Sequence, residues 1–95
     1  MFKIIKKEIL YKNIFSMWID APQIAKNVQP GQFVVLMTDE KGERIPLTVA
    51  DYDRQKGTIQ IVFQVAGKTT DQLSNFEEGE YLYSFTGPLG KKSEI

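Results

Sequence analysis

The sequence predicts an all-β domain: a six-stranded antiparallel Greek-key barrel with one short helix before the last strand. Three observations carry this expectation. Short apolar runs alternate with turn signals at roughly 8–12-residue spacing, the rhythm of barrels and sandwiches. A single segment has clear helical spacing, too little for repeated βαβ units. The chain has 95 residues, enough for one domain, and a chain of that size buries a modest core only if its fold closes on itself.

The elements follow in order. Phe2 to Tyr11 is rich in isoleucine and basic, and reads as an edge or half-exposed strand. Ile14 to Ile19 alternates, with Phe15, Met17 and Ile19 on one side and Trp18 on the other. Ala21 to Asn27 is a connector with room for one helical turn. Pro30-Gly31 marks a tight turn, and Gln32 to Thr38 follows as a nearly continuous apolar strand. Asp39 to Glu43 is a polar hairpin loop. Arg44 to Tyr52 begins irregularly at its proline and continues as a strand, and Asp53 to Gly57 is a second polar turn. Thr58 to Ala66 is the cleanest strand: Ile59, Ile61 and Phe63 face one way, and Thr58, Gln60, Val62 and Gln64 the other. Thr69 to Phe76 has helical spacing, and Glu80 to Phe85 is the last strand. Gly87-Pro88-Leu89-Gly90 reads as a linker, which puts the barrel at residues 1–86 and the start of a linker at 87–95. There is no internal repeat.

Composition removes several functions. Lys plus Arg is 12 and Asp plus Glu is 12, so the net charge is zero. Nucleic-acid binders carry a basic excess, and membrane adhesion by charge needs a polybasic run; neither partner is expected. With no cysteine and no histidine, the chain cannot form disulfides, Cys/His zinc sites or Ser–His and Cys–His nucleophile systems, and cannot ligate an iron–sulfur cluster. What remains is carboxylate chemistry, with or without a metal, or chemistry carried by an organic cofactor. No side chain is assigned a catalytic role. No apolar run approaches the roughly 18–20 residues that span a bilayer. Met1 to Lys7 lacks the pattern of a signal peptide, so the cytoplasm is the expected compartment.

Three segments can carry chemistry. Gly67-Lys68-Thr69-Thr70 leaves the best strand and opens the helix. A glycine there permits a sharp turn and close approach, the first helical amides are unpaired, and the helix dipole favours an anion. The segment reads either as a phosphate cradle or as an ordinary strand-to-helix turn capped by Thr69. It is not a Walker motif, because the glycine required five positions earlier is Val62, inside a strand. Arg44-Ile45-Pro46-Leu47-Thr48 offers a guanidinium that can grip phosphate, an apolar side chain for a ring face and a hydroxyl for a ring nitrogen. Alone, it reads rather as a surface arginine, a strand-start proline and a half-buried leucine. Pro30-Gly31-Gln32-Phe33-Val34 alone is only a turn entering a strand. The aromatics Phe33, Phe63, Phe76, Tyr81 and Phe85 are expected in the core, and Trp18 with Tyr83 is expected to form an exposed patch.

In this order and spacing, the segments Pro30 to Val34, Arg44 to Asp51, Val62 to Gln64, Gly67 to Thr70 and Gly87 to Gly90 resemble the flavin domain of the ferredoxin–NADP reductase superfamily. Within it the chain is most similar to the electron-transfer subunits of dihydroorotate dehydrogenase and the small subunits of NADH-dependent ferredoxin–NADP oxidoreductases. The resemblance covers essentially the whole chain. It implies a barrel that binds FAD, with Thr48 near the flavin N5 edge, Leu47 by the ring, Pro46 in the same segment, and Val62, Phe63 and Gln64 along the isoalloxazine border. Gly67, Thr69 and Thr70 hold the pyrophosphate, and Arg44 or Lys68 supplies the cation.

The resemblance also implies a parent protein that passes electrons between NAD(P)H, flavin and iron–sulfur centres, with an NAD(P)-binding domain, a [2Fe-2S] cluster and a larger iron–sulfur flavoprotein subunit as partners. On this reading the chain stops short of the NAD(P) domain and the cluster cysteines. In the family pattern an arginine stands three residues before the Ser/Thr. Here Ile45 stands there and Arg44 is one place earlier. A one-residue shift turns a strand side chain to the other face, unless a bulge at Pro46 restores it. The alternative to a cofactor domain is a non-enzymatic barrel that docks proteins through Trp18 and Tyr83, with a homodimer as its simplest partner.

Overall fold

The computed structural model describes residues 2–90. Its strands are β1 (Phe2–Tyr11), β2 (Ile14–Asp20), β3 (Phe33–Met37), β4 (Ile45–Asp53), β5 (Thr58–Gln64), β6 (Tyr81–Leu82) and β7 (Ser84–Leu89). Two short helices interrupt them, α1 (Pro22–Asn27) and α2 (Lys68–Ser74). The strands form one antiparallel sheet in the order β6-β1-β2-β5-β4-β3-β7. The two ends of that order are consecutive in the chain. β6 pairs with β1 and β7 with β3, and only Tyr83 stands between them, its amide donating to the Met37 carbonyl at 3.1 Å. The sheet therefore nearly closes into a barrel, which leaves little unpaired edge.

The class is as expected, and the details differ in three places. There are seven strands rather than six, because the last strand changes partner at Tyr83, from β1 to β3, and the ladder breaks there. There are two helices rather than one. Pro22 sits in the first turn of α1, where a missing N–H costs nothing, so the connector winds further than a single turn. Gly87 to Leu89, expected to be linker, belong to β7, with Leu89 paired to Phe33. The ladder absorbs Pro88, which has no N–H to donate, through a register shift between Phe33 and Val35.

The core is the barrel interior. Ile4, Met17, Ile19, Val34, Leu36, Ile59, Ile61 and Leu82 are fully buried, and Val49, Phe63 and Phe85 nearly so. The β5 alternation holds, with Ile59, Ile61 and Phe63 inward and Val62 and Gln64 outward. The helices cover opposite ends of β5. Ala21, just before α1, donates to Gly57 O ahead of β5, and α2 follows β5 and buries Leu73. Gly57 has φ +69, and a Cβ there would lie 2.9 Å from the Pro22 Cβ, so glycine is what lets the two segments meet. Tyr81 departs from its expected place in the core. It lies on the outward side of β6 and is exposed, while its neighbour Leu82 takes the inward place.

Candidate cofactor site

The arrangement of β4 and β5 makes a gap in the barrel wall. Their pairs run from Asp53–Thr58 through Tyr52–Ile59 and Asp51–Gln60 to Val49–Ile61, with a bulge between Val49 and Asp51, and no further β4–β5 pair follows among the described residues. Beyond that point Ile45 to Thr48 pair with β3 alone, and Val62 to Gln64 pair with β2 alone. The bulge adds twist, and the strands part where it ends. Backbone groups that would otherwise join the ladder are left facing the gap on both sides.

The side chains follow from strand alternation. Pro46 and Thr48 are exposed on the outward face of β4, and Val62 and Gln64 are exposed on the outward face of β5. These four border the gap from outside. Leu47 and Phe63 point the other way. Leu47 is half-buried against the core, and Phe63 is buried, with its ring stacked on Phe15 at 5.7 Å between centroids. Arg44 lies just before β4, exposed, and makes no side-chain hydrogen bond or ion pair among the described residues. The β3–β4 register is regular through Pro46, so the expected bulge there is absent and sits instead between Val49 and Asp51.

Three residues past the end of β5 the chain reaches Gly67, the N-cap of α2, with φ +144 and ψ 178. That φ belongs to glycine, and a Cβ built there would meet nothing within 4 Å. The space beside the turn is open to a ligand. Thr69 is not the cap. The Thr70 hydroxyl ties the turn together, accepting from the Ala66 amide at 2.8 Å and donating to Gly67 O at 3.2 Å. Lys68 and Thr69 line a cleft of about 570 Å³ together with Asp39, Lys41, Gly42 and Glu43 of the β3–β4 loop. Gln72 closes its floor by donating to Asp39 Oδ2 at 2.7 Å.

The fold thus sets two groups of the expected residues in sequence along one rim, an apolar gap at Thr48 and Val62 and an open, donor-rich turn at Gly67 to Thr69. A planar ring with a phosphate tail has matching chemistry. Among the described residues no cluster of carboxylates could hold a metal ion. Trp18 is half-buried and lines a cavity of about 280 Å³ with Lys6 and Lys56, while Tyr83 is 46% exposed at the β6–β7 break.

Sequence reasoning missed the residues that hold the rim in shape. Gln32 accepts from the Gln29 amide and donates to Gly90 O, both at 2.8 Å, so the Pro30-Gly31 turn is clasped to the end of β7. Gln60 donates to the buried Ser16 hydroxyl at 2.9 Å across the β2–β5 pair. The Gln32–Gly90 and Gln60–Ser16 contacts have no local signal, because each joins segments far apart in sequence.

No family model matches the chain. It is 58% identical over 95 residues to an uncharacterised protein of Clostridium beijerinckii, covering 100% of this chain and 32% of that protein. It is 47% identical over 93 residues to the dihydroorotate dehydrogenase B (NAD(+)) electron transfer subunit homolog of Thermotoga maritima, covering 98% of this chain and 33% of that one. The chain is a homologue of these electron-transfer subunits. A solved NADH-dependent reduced ferredoxin–NADP oxidoreductase, described for flavin-based electron bifurcation, superposes with a TM-score of 0.95 at 47% identity, over 97% of this chain and 33% of that one. The chain spans about a third of the length of the curated homologues it matches. No helix among the described residues is long and apolar enough to cross a membrane.

Proposed function

We propose that this chain is the FAD-binding domain of an NAD(P)H-dependent electron-transfer oxidoreductase. The observation that carries the reading is the parting of β4 and β5 beside Thr48 and Val62, on the strand that leads directly to Gly67. Homology to electron-transfer subunits supports it.

In this reading Pro46 and Thr48 border one side of the flavin ring and Val62 and Gln64 the other, while Leu47 and Phe63 face the core and support those strands from within. Bound FAD would supply hydride and single-electron transfer. The chain's own part is to bind, orient and shield. Val62 and Pro46 offer apolar surface that excludes water. Thr48 presents a hydroxyl and Gln64 an amide at the ring edge. Phe63 holds its strand in place through the stack on Phe15. At the other end, Gly67 lets the backbone approach the pyrophosphate, Lys68 and the leading amides of α2 offset its charge, and Thr69 adds a hydroxyl. Thr70 keeps the turn closed through Ala66. Arg44 is a second cation for the phosphates.

Iron–sulfur ligation needs cysteine thiolates, and this chain has none. In this reading the [2Fe-2S] centre lies outside this chain, as do the NAD(P)-binding domain and a larger iron–sulfur flavoprotein subunit, in the cytoplasm. The test is titration of the chain with FAD, followed by flavin fluorescence. Saturable one-to-one binding is expected. A fold intact by circular dichroism with no binding at tens of micromolar would refute the reading.

A further inference from the structure

Among the described residues Lys7 is the one lysine that is not exposed. Its side chain is 12% exposed, and its ammonium lies against the C-terminal end of α2. It donates to Ser74 O at 2.7 Å and to Glu77 Oε1 at 3.3 Å, and it sits 5.5 Å from the centroid of the Phe15 ring. Its backbone amide donates to Glu78 Oε2 at 2.9 Å. Ser74 is the last residue of α2, the helix whose first residues are Lys68 and Thr69. Phe15 stacks on Phe63, which stands between Val62 and Gln64. One side chain therefore touches the supports of both ends of the cofactor site.

Stability alone does not call for an ammonium here. Withdrawing lysine from water is costly, and its carboxylate partner Glu77 is 73% exposed, so their attraction is weakened by solvent. A methionine would fill much the same space without that cost. What the ammonium adds is direction. α2 has seven residues and no side-chain bond at its N-cap, too short to hold itself. Leu73 and Ser74 bury its inner face, Phe76 packs on the core just beyond it, and Thr70 ties its first turn. The Lys7–Ser74 bond fixes its C-terminal end, and Gln72–Asp39 fixes its outer side. A helix pinned in this way holds Lys68 and Thr69 in place across the cleft from the β3–β4 loop.

We propose that Lys7 is a positioning residue for the pyrophosphate end of the cofactor, acting through α2. This rests on the FAD reading. The two are separated by measuring FAD and riboflavin binding on wild type and on Lys7→Met, with hydrogen exchange of α2 beside them. Riboflavin has the ring but no phosphates. Lys7→Met should lose FAD affinity by about tenfold, the size of losing an outer-shell support, while riboflavin affinity stays within about twofold. The Asp71 and Phe76 amides should exchange faster, with β2 and β5 unchanged. Lys7→Arg, which keeps a cationic donor, should restore most of both.

Equal loss of FAD and riboflavin, or no loss of either, would overturn the proposal, as would unchanged exchange in α2. Wild type that binds neither ligand would instead sink the FAD reading, and this proposal with it. Should Lys7→Met not fold, Lys7→Gln must show the same split between the ligands.

Discussion

Arg54 follows β4, and its guanidinium holds the end of α1. Nη1 donates to Ala25 O and Lys26 O, and Nη2 donates to Val28 O, all at 2.8 Å, while the group lies 4.6 Å from the centroid of the Tyr52 ring. These carbonyls end a helix, where intrahelical partners run out and a cation suits the dipole. Ala25 and Val28 are 0% exposed, so water does not reach their carbonyls while Arg54 is in place. The Lys26 bond is solvent-exposed and contributes little. Two part-buried, charge-assisted bonds are worth about 1 kcal/mol each net of competition with water. The cation–π contact adds about 0.5 kcal/mol. Arg54→Met keeps the stem and should cost about 2–3 kcal/mol. At roughly 4–8 °C per kcal/mol for a domain of this size, Tm should fall by roughly 10–20 °C. Arg54→Lys, a single point of charge without the fork, should recover less than half of that. Thermal and urea unfolding followed by circular dichroism measure both. A loss under about 0.5 kcal/mol in Arg54→Met, the range of ordinary surface changes, would refute the claim that this fork anchors α1.

Further outcomes follow from the same contacts. Thr38 is 3% exposed and its hydroxyl has no partner among the described residues, so Thr38→Val should stabilise by about 1 kcal/mol in urea unfolding, because an unpaired buried donor is removed with its shape kept. Thr48→Val changes the ring end of the site and should weaken riboflavin and FAD to the same degree in a fluorescence titration. Lys68→Met touches only the phosphate end and should weaken FAD alone, with the remaining affinity less sensitive to salt. Gly67→Ala meets no neighbour in the ligand-free chain, so its stability cost is the strained φ alone, about 1–2 kcal/mol. Its loss of FAD affinity should be larger than that of riboflavin.

Most of the barrel is legible in the sequence because its strands are written locally. Ile59, Ile61 and Phe63 alternate with polar or exposed neighbours, and the turns at Pro30-Gly31 and Asp53 to Gly57 carry their own residues. The break at Tyr83 is not legible, because it depends on which strand lies on each side rather than on any residue at the break. Tyr81 reads as core for its apolar ring, yet the pleat turns it out and Leu82 in, a choice of phase that a two-residue strand does not reveal. Gly87-Pro88 has the composition of a linker. Its place in β7 is decided by pairing with β3, some fifty residues away. The strand-to-helix turn is legible from Gly67 and the helical spacing behind it, but the identity of the cap is not, and it falls to Gly67 with Thr70 bracing it.

The arginine one place out of step takes on a different meaning once the register is known. Strand alternation puts Pro46 and Thr48 on the outward face, and Arg44 stands two and four residues before them. With β3–β4 pairing regular through Pro46, no bulge is needed to bring residues of that parity to the gap. Arg44 precedes the strand, is exposed, and has no side-chain partner among the described residues, so nothing in the protein competes for it. Lys68 lies in the turn itself, in a cleft also lined by Glu43, the residue before Arg44. The two cations are therefore not interchangeable. Lys68 is fixed by α2, and through α2 by Lys7, whereas Arg44 reaches from a loop end and must be ordered by its ligand at an entropic cost. Substituting Arg44 with methionine should accordingly lower FAD affinity less than Lys68→Met, and the losses should depart from additivity in the double variant with Lys68 if both act on one phosphate. An Arg44 loss equal to or larger than that of Lys68 would place the anion at the start of β4 instead, and would shift the phosphate end of the site away from the helix.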